Sequence, residues 1–146
     1  HVDDAITFPC NCGAYGCLEQ IASATGIARI AREALAATDA PSVMRKEENV
    51  TAKTVFDAVK ENDVIAIQVA ERFGSCLGKA LASFAVVADP EIIVIGGGVS
   101  KAGPVLLDYI IPTYKRYAFS GCKDTKFELA KLGNDAGIFG AAKLVL

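Results

Sequence analysis

The chain carries no cluster of basic side chains. Its 15 lysines and arginines are scattered among 17 aspartates and glutamates, for a formal net charge of -2 and a pI of about 5.4. A nucleic-acid surface needs concentrated positive charge to displace counterions from phosphates, and none is visible in this chain. No apolar run reaches the length needed to cross a bilayer, and the first residues are not a secretory signal. A soluble, cytoplasmic protein with no membrane partner is the expectation. There is no internal repeat and no low-complexity tract.

What the sequence has instead is apolar side chains. Of 146 residues, 52% are hydrophobic and only 22% charged, and the mean hydropathy is +0.35. That is enough for one domain with a real core, and richer than an ordinary small soluble domain. Either helices are buried on several sides, or some of this surface covers another part of a longer protein. The strand count below favours the second explanation.

Five cysteines are present, three of them within eight residues (Cys10, Cys12, Cys17), with Cys76 and Cys122 far away. An odd number clustered in this way fits a metal site plus two free thiols better than a disulfide framework.

Residues 1–17 form a loop punctuated by Pro9, Gly13 and Gly16. From Cys17 the apolar positions Leu18, Ile21, Ala22, Thr25, Ala28, Ala31 and Leu35 recur at spacings of three and four. This predicts one amphipathic helix ending near Ala37. Residues 38–50, with Pro41 and several charges, read as a surface connection. Thr51 is a candidate N-cap for a short helix bearing Val55, Phe56 and Val59. A longer helix starts at Asn62 or Asp63. Its predicted core stripe is Ile67, Ala70, Phe73, Leu77, Leu81 and Phe84, widened by Val64, Ile65, Val69, Val86 and Val87. Asp89-Pro90 stops it.

Ile92 to Ile95 is an unbroken aliphatic run closed by Gly96, Gly97 and Gly98, the pattern of a parallel strand buried on both faces. A helix follows over about 104–117, a second strand over 127–132 and a closing helix over 136–146. The sequence thus predicts an α/β chain, helix-rich with few strands. Two strands make no stable parallel sheet alone. The expectation is a partial domain whose other strands lie upstream or on another chain. It divides into a loop (1–17), a helical segment (18–88) and a strand-helix-strand-helix segment (89–146).

Thiolate sulfur and imidazole nitrogen suit zinc, which favours four tetrahedral ligands. His1, Cys10, Cys12 and Cys17 are the candidate set. Cys-x-Cys puts two sulfurs on one tight turn, and Gly13 and Gly16 let Cys17 close the site. Four protein ligands would leave no open position, so such a metal is structural. The alternatives are a cluster of reactive free thiols or a disulfide between two of the three. His1, as the first residue, could also be an expression remnant.

The stretch Cys10-Asn-Cys-Gly-Ala-Tyr-Gly-Cys-Leu-Glu19 resembles the signature C-x-C-G-x-x-G-C-x-E of the ROK family (repressors, uncharacterised frames and sugar kinases). In that loop a preceding Gly-His pair supplies the fourth ligand, which would be His1. The glycine of that pair and a sugar-contacting glutamate upstream lie outside this sequence. The resemblance continues through Ser-Ala-Thr-Gly at 23–26, Ile-Val-Ile-Gly-Gly-Gly-Val-Ser at 93–100 and Gly-Asn-Asp-Ala-Gly-Ile-Phe-Gly-Ala-Ala at 133–142.

The resemblance implies the C-terminal part of an actin-like ATPase (ribonuclease H-like) domain and a sugar kinase close to bacterial glucokinases. In family kinases the glutamate after the last cysteine binds the sugar, a role that falls on Glu19. Residue by residue, Glu19 could equally complement a helix dipole from its first turn. The zinc histidine also touches sugar, so His1 would serve both. The glycines equivalent to Gly96, Gly97 and Gly98 line the nucleotide cleft, with Val99 and Ser100 at its edge. Read alone, those glycines could be a tight turn. Gly133 and Gly137 are expected to serve helix packing and capping.

Phosphoryl transfer would further require ATP, Mg2+ and a base that takes the hydroxyl proton. In the family that base is an aspartate of the N-terminal half. No aspartate here matches it, so no catalytic residue is assigned and the chain alone is expected to be inactive. A homodimer is implied by the family. Two other readings remain: the sugar-sensing half of a ROK repressor, and a purely structural zinc module.

Overall fold

The structure, a computed structural model, describes residues 6–7, 9–132 and 135–144. Its elements in chain order are α1 (Glu19–Ala22), α2 (Ala24–Ala36), α3 (Ala52–Lys60), α4 (Val64–Ala88), β1 (Ile92–Ile95), α5 (Val105–Tyr117), β2 (Lys126–Leu129) and α6 (Ala136–Lys143). Short 3-10 turns occupy Val43–Lys46, Gly98–Ala102 and Ser120–Cys122.

The predicted single helix over 18–37 is two helices. Ser23 takes an extended conformation (φ -90, ψ 164) and its hydroxyl accepts from the Gly26 amide at 2.9 Å, ending α1 and starting α2. The restart changes the helical phase. Ile27 and Ile30 enter the core, whereas Thr25, expected on the buried stripe, faces solvent. The 38–50 connection is also more than surface. Met44, in its 3-10 turn, is fully buried.

Caps fix α3 and α4. Thr51 and Thr54 exchange reciprocal side-chain to backbone bonds of 3.1 and 3.2 Å, a capping box. Asp63 caps α4 through the Ala66 amide at 3.0 Å and accepts from Val43 at 2.7 Å, pinning the connection to the helix start. Burial of the Asp63 carboxyl opposes its ionisation, but hydrogen bonds from Ala66, Ser42, Val43 and Ile65 outweigh this and hold it below the usual carboxylate range. At the other end of α4, Asp89 adopts a left-handed conformation (φ 43) and the helix stops before Pro90.

The core forms where α2, α3 and α5 meet α4. Phe56 and Phe73 pack edge to face with ring centroids 5.8 Å apart. Gly74 and Gly78 let α4 and α5 approach closely, since a Cβ on Gly78 would lie 2.8 Å from the Ile110 carbonyl oxygen. A smaller cluster joins Ala82, Ala85, Tyr114, Ala118 and Cys122, where the Tyr114 hydroxyl donates to the Cys122 carbonyl at 2.7 Å.

β1 and β2 pair in parallel, Ile92 opposite Lys126 through Ile95 opposite Leu129. The strand was expected to be buried on both faces, but Ile92 and Val94 are 45% and 56% exposed. Ile93, Ile95, Phe127 and Leu129 pack on the helices, and no described element covers the opposite face. For the same reason the end of α4 does not extend the core stripe. Phe84, Val86 and Val87 are exposed, as is Val64 at its start, and α6 buries no residue. Among the described residues, no helix is long and apolar enough to cross a membrane.

Candidate functional site

The cysteine loop is shaped by two left-handed glycines, Gly13 (φ 84) and Gly16 (φ 69), conformations that side-chain-bearing residues rarely adopt. The Cys10 amide donates to the Ala14 carbonyl at 2.8 Å, and the Gly13 amide to the Cys10 carbonyl at 2.9 Å, closing a tight turn. The three sulfurs of Cys10, Cys12 and Cys17 consequently lie within 4.8 Å of one another, with Cys12 and Cys17 3.5 Å apart. Bonds of about 2.3 Å to a tetrahedral zinc would set sulfurs roughly 3.8 Å apart. The cluster therefore has the size and chemistry of a three-thiolate metal site. His1, the expected fourth ligand and second sugar contact, lies outside the described residues.

Cys12 and Cys17 are hydrogen-bonded to each other through their sulfurs. Hydrogen bonding from the Ala14 backbone, then from Cys17, holds Cys12 below an ordinary thiol. The hydrogen bond to Cys12, then burial, pushes Cys17 up to about 11. No described residues other than these three form a metal-sized group of histidine, cysteine and carboxylate side chains.

Glu19 opens α1 two residues after the last cysteine, and its carboxylate is exposed. Its Oε2 accepts from the Gln20 side-chain amide at 2.9 Å and lies 3.7 Å from the Cys10 sulfur. The structure thus brings Glu19 to the rim of the cysteine cluster. α1 is a single turn, so its dipole is small and the acidic first-turn position alone has little to stabilise.

The second expected site sits where β1 ends. Gly97 has φ 75 and ψ -165, and a Cβ there would meet nothing within 4 Å. The Ser100 hydroxyl donates back to the Gly97 carbonyl at 2.8 Å, tightening the turn. The Val99 side chain points into the core at 7% exposure, so only its backbone could face a nucleotide. A Cβ on Gly98 would lie 3.5 Å from the Ala24 Cβ. The glycine turn therefore abuts the first residue of α2, two residues past α1. Gly133 lies outside the described residues. Gly137 would meet nothing within 4 Å, so the expected packing role finds no partner among the described residues.

Sequence reasoning missed Gln20, Met44 and the second bond of Asp63. Gln20 and Met44 gave no signal beyond being polar or apolar, whereas Asp63 was recognisable as a cap.

The fold is that of part of an actin-like ATPase domain, shared with the solved ROK sugar kinases on which the chain superposes. The chain belongs to the ROK family, whose profile matches residues 2–146. It is 46% identical over 141 residues to a glucokinase of Halalkalibacterium halodurans, covering 94% of this chain and 43% of that protein. A ROK family glucokinase of Streptomyces griseus, solved with glucose and AMPPNP, superposes with a TM-score of 0.80 at 31% identity, over 92% of this chain and 46% of that one. A ROK family transcriptional regulator, a homologue of the E. coli MLC protein, superposes at 0.76 with 28% identity, over 88% and 32%. The chain thus spans less than half the length of the relatives it matches.

Proposed function

We propose that this chain supplies the sugar-binding loop and part of the nucleotide cleft of an ATP-dependent hexose kinase, with glucose converted to glucose 6-phosphate. The observation that carries this is the cysteine cluster with the Glu19 carboxylate at its rim, Cys10 Sγ lying 3.7 Å from Oε2. Cys10, Cys12 and Cys17, with His1, would hold a structural zinc, whose contribution is to stiffen the loop. Glu19 then meets the sugar already in place, and its carboxylate accepts hydrogen bonds from hexose hydroxyls. His1 would add a second sugar contact.

On the other side, Gly96, Gly97, Gly98 and the Val99 backbone would let amides approach ATP phosphates without side-chain obstruction. Mg2+ would accompany the nucleotide, as phosphoryl transfer requires. Residues 1–17 form the recognition loop in this scheme, 18–88 the helical support, and 89–146 the nucleotide side. The working protein is a cytoplasmic homodimer of carbohydrate metabolism.

Calorimetric titration of the zinc-loaded protein with glucose, mannose, fructose and N-acetylglucosamine tests the reading. Glucose should bind best, and Glu19→Gln should weaken it at least tenfold with zinc content unchanged. Equal binding by wild type and Glu19→Gln would refute the assignment. The likeness to the ROK regulator supports a second reading, the sugar-sensing domain of a repressor. The gene sequence preceding His1 separates the two: a phosphate loop with an aspartate base marks a kinase, a DNA-reading helix pair a repressor.

A further inference from the structure

The Ser-Ala-Thr-Gly stretch at 23–26 is used by neither the metal reading nor the hexose reading. We infer that Gly26 is a positioning residue: its missing side chain seats α1 and so places the Glu19 carboxylate. The inference rests on Glu19 being the hexose ligand.

Gly26 is buried in the corner where α1 turns into α2. A Cβ there would lie 2.5 Å from the Gln20 carbonyl oxygen, 2.7 Å from its carbon and 3.0 Å from the Glu19 carbonyl oxygen. All three are main-chain atoms, which cannot rotate aside as a side chain can. The Gln20 carbonyl is also gripped by the Arg29 guanidinium from the next turn of α2. Ser23 fixes the corner itself by capping the Gly26 amide, with its hydroxyl 2.9 Å from that of Thr25.

α1 has only four residues and Glu19 is the first. A side chain at position 26 would therefore move the whole of α1, and the carboxylate with it. At the far side of the corner, Ala24 rests against Gly98 of the glycine turn. One corner thus sets Glu19 relative to the cysteine cluster and to the proposed nucleotide side.

Gly26→Ala is compared with Gly78→Ala, which introduces a similar main-chain clash at the α4–α5 contact. Both should lower the Tm. Only Gly26→Ala should shift the backbone amide resonances of residues 17–22, and only it should weaken glucose binding, on the order of tenfold. Zinc content should stay equal in the two. Unmoved amides in folded Gly26→Ala, or equal losses of glucose affinity in both variants, would overturn the inference. Should Gly26→Ala fail to fold, Arg29→Met releases the same carbonyl and must shift the same amides; if it does not, the inference fails. A wild-type protein that binds no hexose refutes the function of Glu19 separately, and the amide shifts still decide whether Gly26 seats α1.

Discussion

Replacing Asp63 by alanine removes the Ala66 and Val43 hydrogen bonds together. The carboxylate caps α4 through the Ala66 amide and accepts from Val43, and the residue is 8% exposed. Loss of an N-cap costs about 1 kcal/mol. The second bond, to a charged acceptor, contributes roughly 1.5–3 kcal/mol and leaves the Val43 amide unpaired. Asp63→Ala should therefore lose about 2.5–4 kcal/mol in urea denaturation, with the slope m unchanged. Asp63→Asn keeps a good cap and one acceptor oxygen, and should lose about half as much.

The same carboxyl has a pH signature. Its folded pKa is depressed, so its stabilisation is present above the unfolded value of about 3.9 and disappears as pH falls through the folded value. The difference between wild type and Asp63→Ala should accordingly shrink below pH 4. A loss under 0.5 kcal/mol at pH 7, or a difference that grows toward acid, would refute the reasoning.

Cys12→Ser should bring zinc below about half an ion per chain, measured by mass spectrometry on protein prepared without chelator; full occupancy would remove Cys12 from the ligand set. Phe73→Ala empties a site against Phe56 and should cost about 3–5 kcal/mol in the same denaturation assay. Glucose and ATP supplied to the chain alone should give no glucose 6-phosphate in a coupled spectrophotometric assay. Measurable turnover would refute the expectation that the chain alone is inactive.

Helix ends were the most legible part of the fold, because capping is local chemistry: Thr51, Asp63 and Asp89-Pro90 fall at real boundaries. Proximity of the three sulfurs was legible for the same reason, since two glycines and a short spacing dictate the turn. The break at Ser23 was hidden because apolar residues at helical spacing continue across it. The close approach of Gly26 to the Gln20 carbonyl, which the corner needs, leaves no mark in helical spacing. Burial of Met44 depends on contacts distant in sequence and could not be read from a polar connection. Exposure of Val87 and Val94 was missed because periodicity marks which residues are apolar, and says nothing about what lies opposite.

Where Gly74 and Gly78 bring α4 against α5, two main chains touch with almost no side-chain padding between them. Padding can yield by changing rotamer; a backbone surface has no such freedom. The two helices should then separate only when the domain as a whole opens. Their amide protons would be the last to trade with deuterium, while those of the exposed loop at 11–15 would trade early.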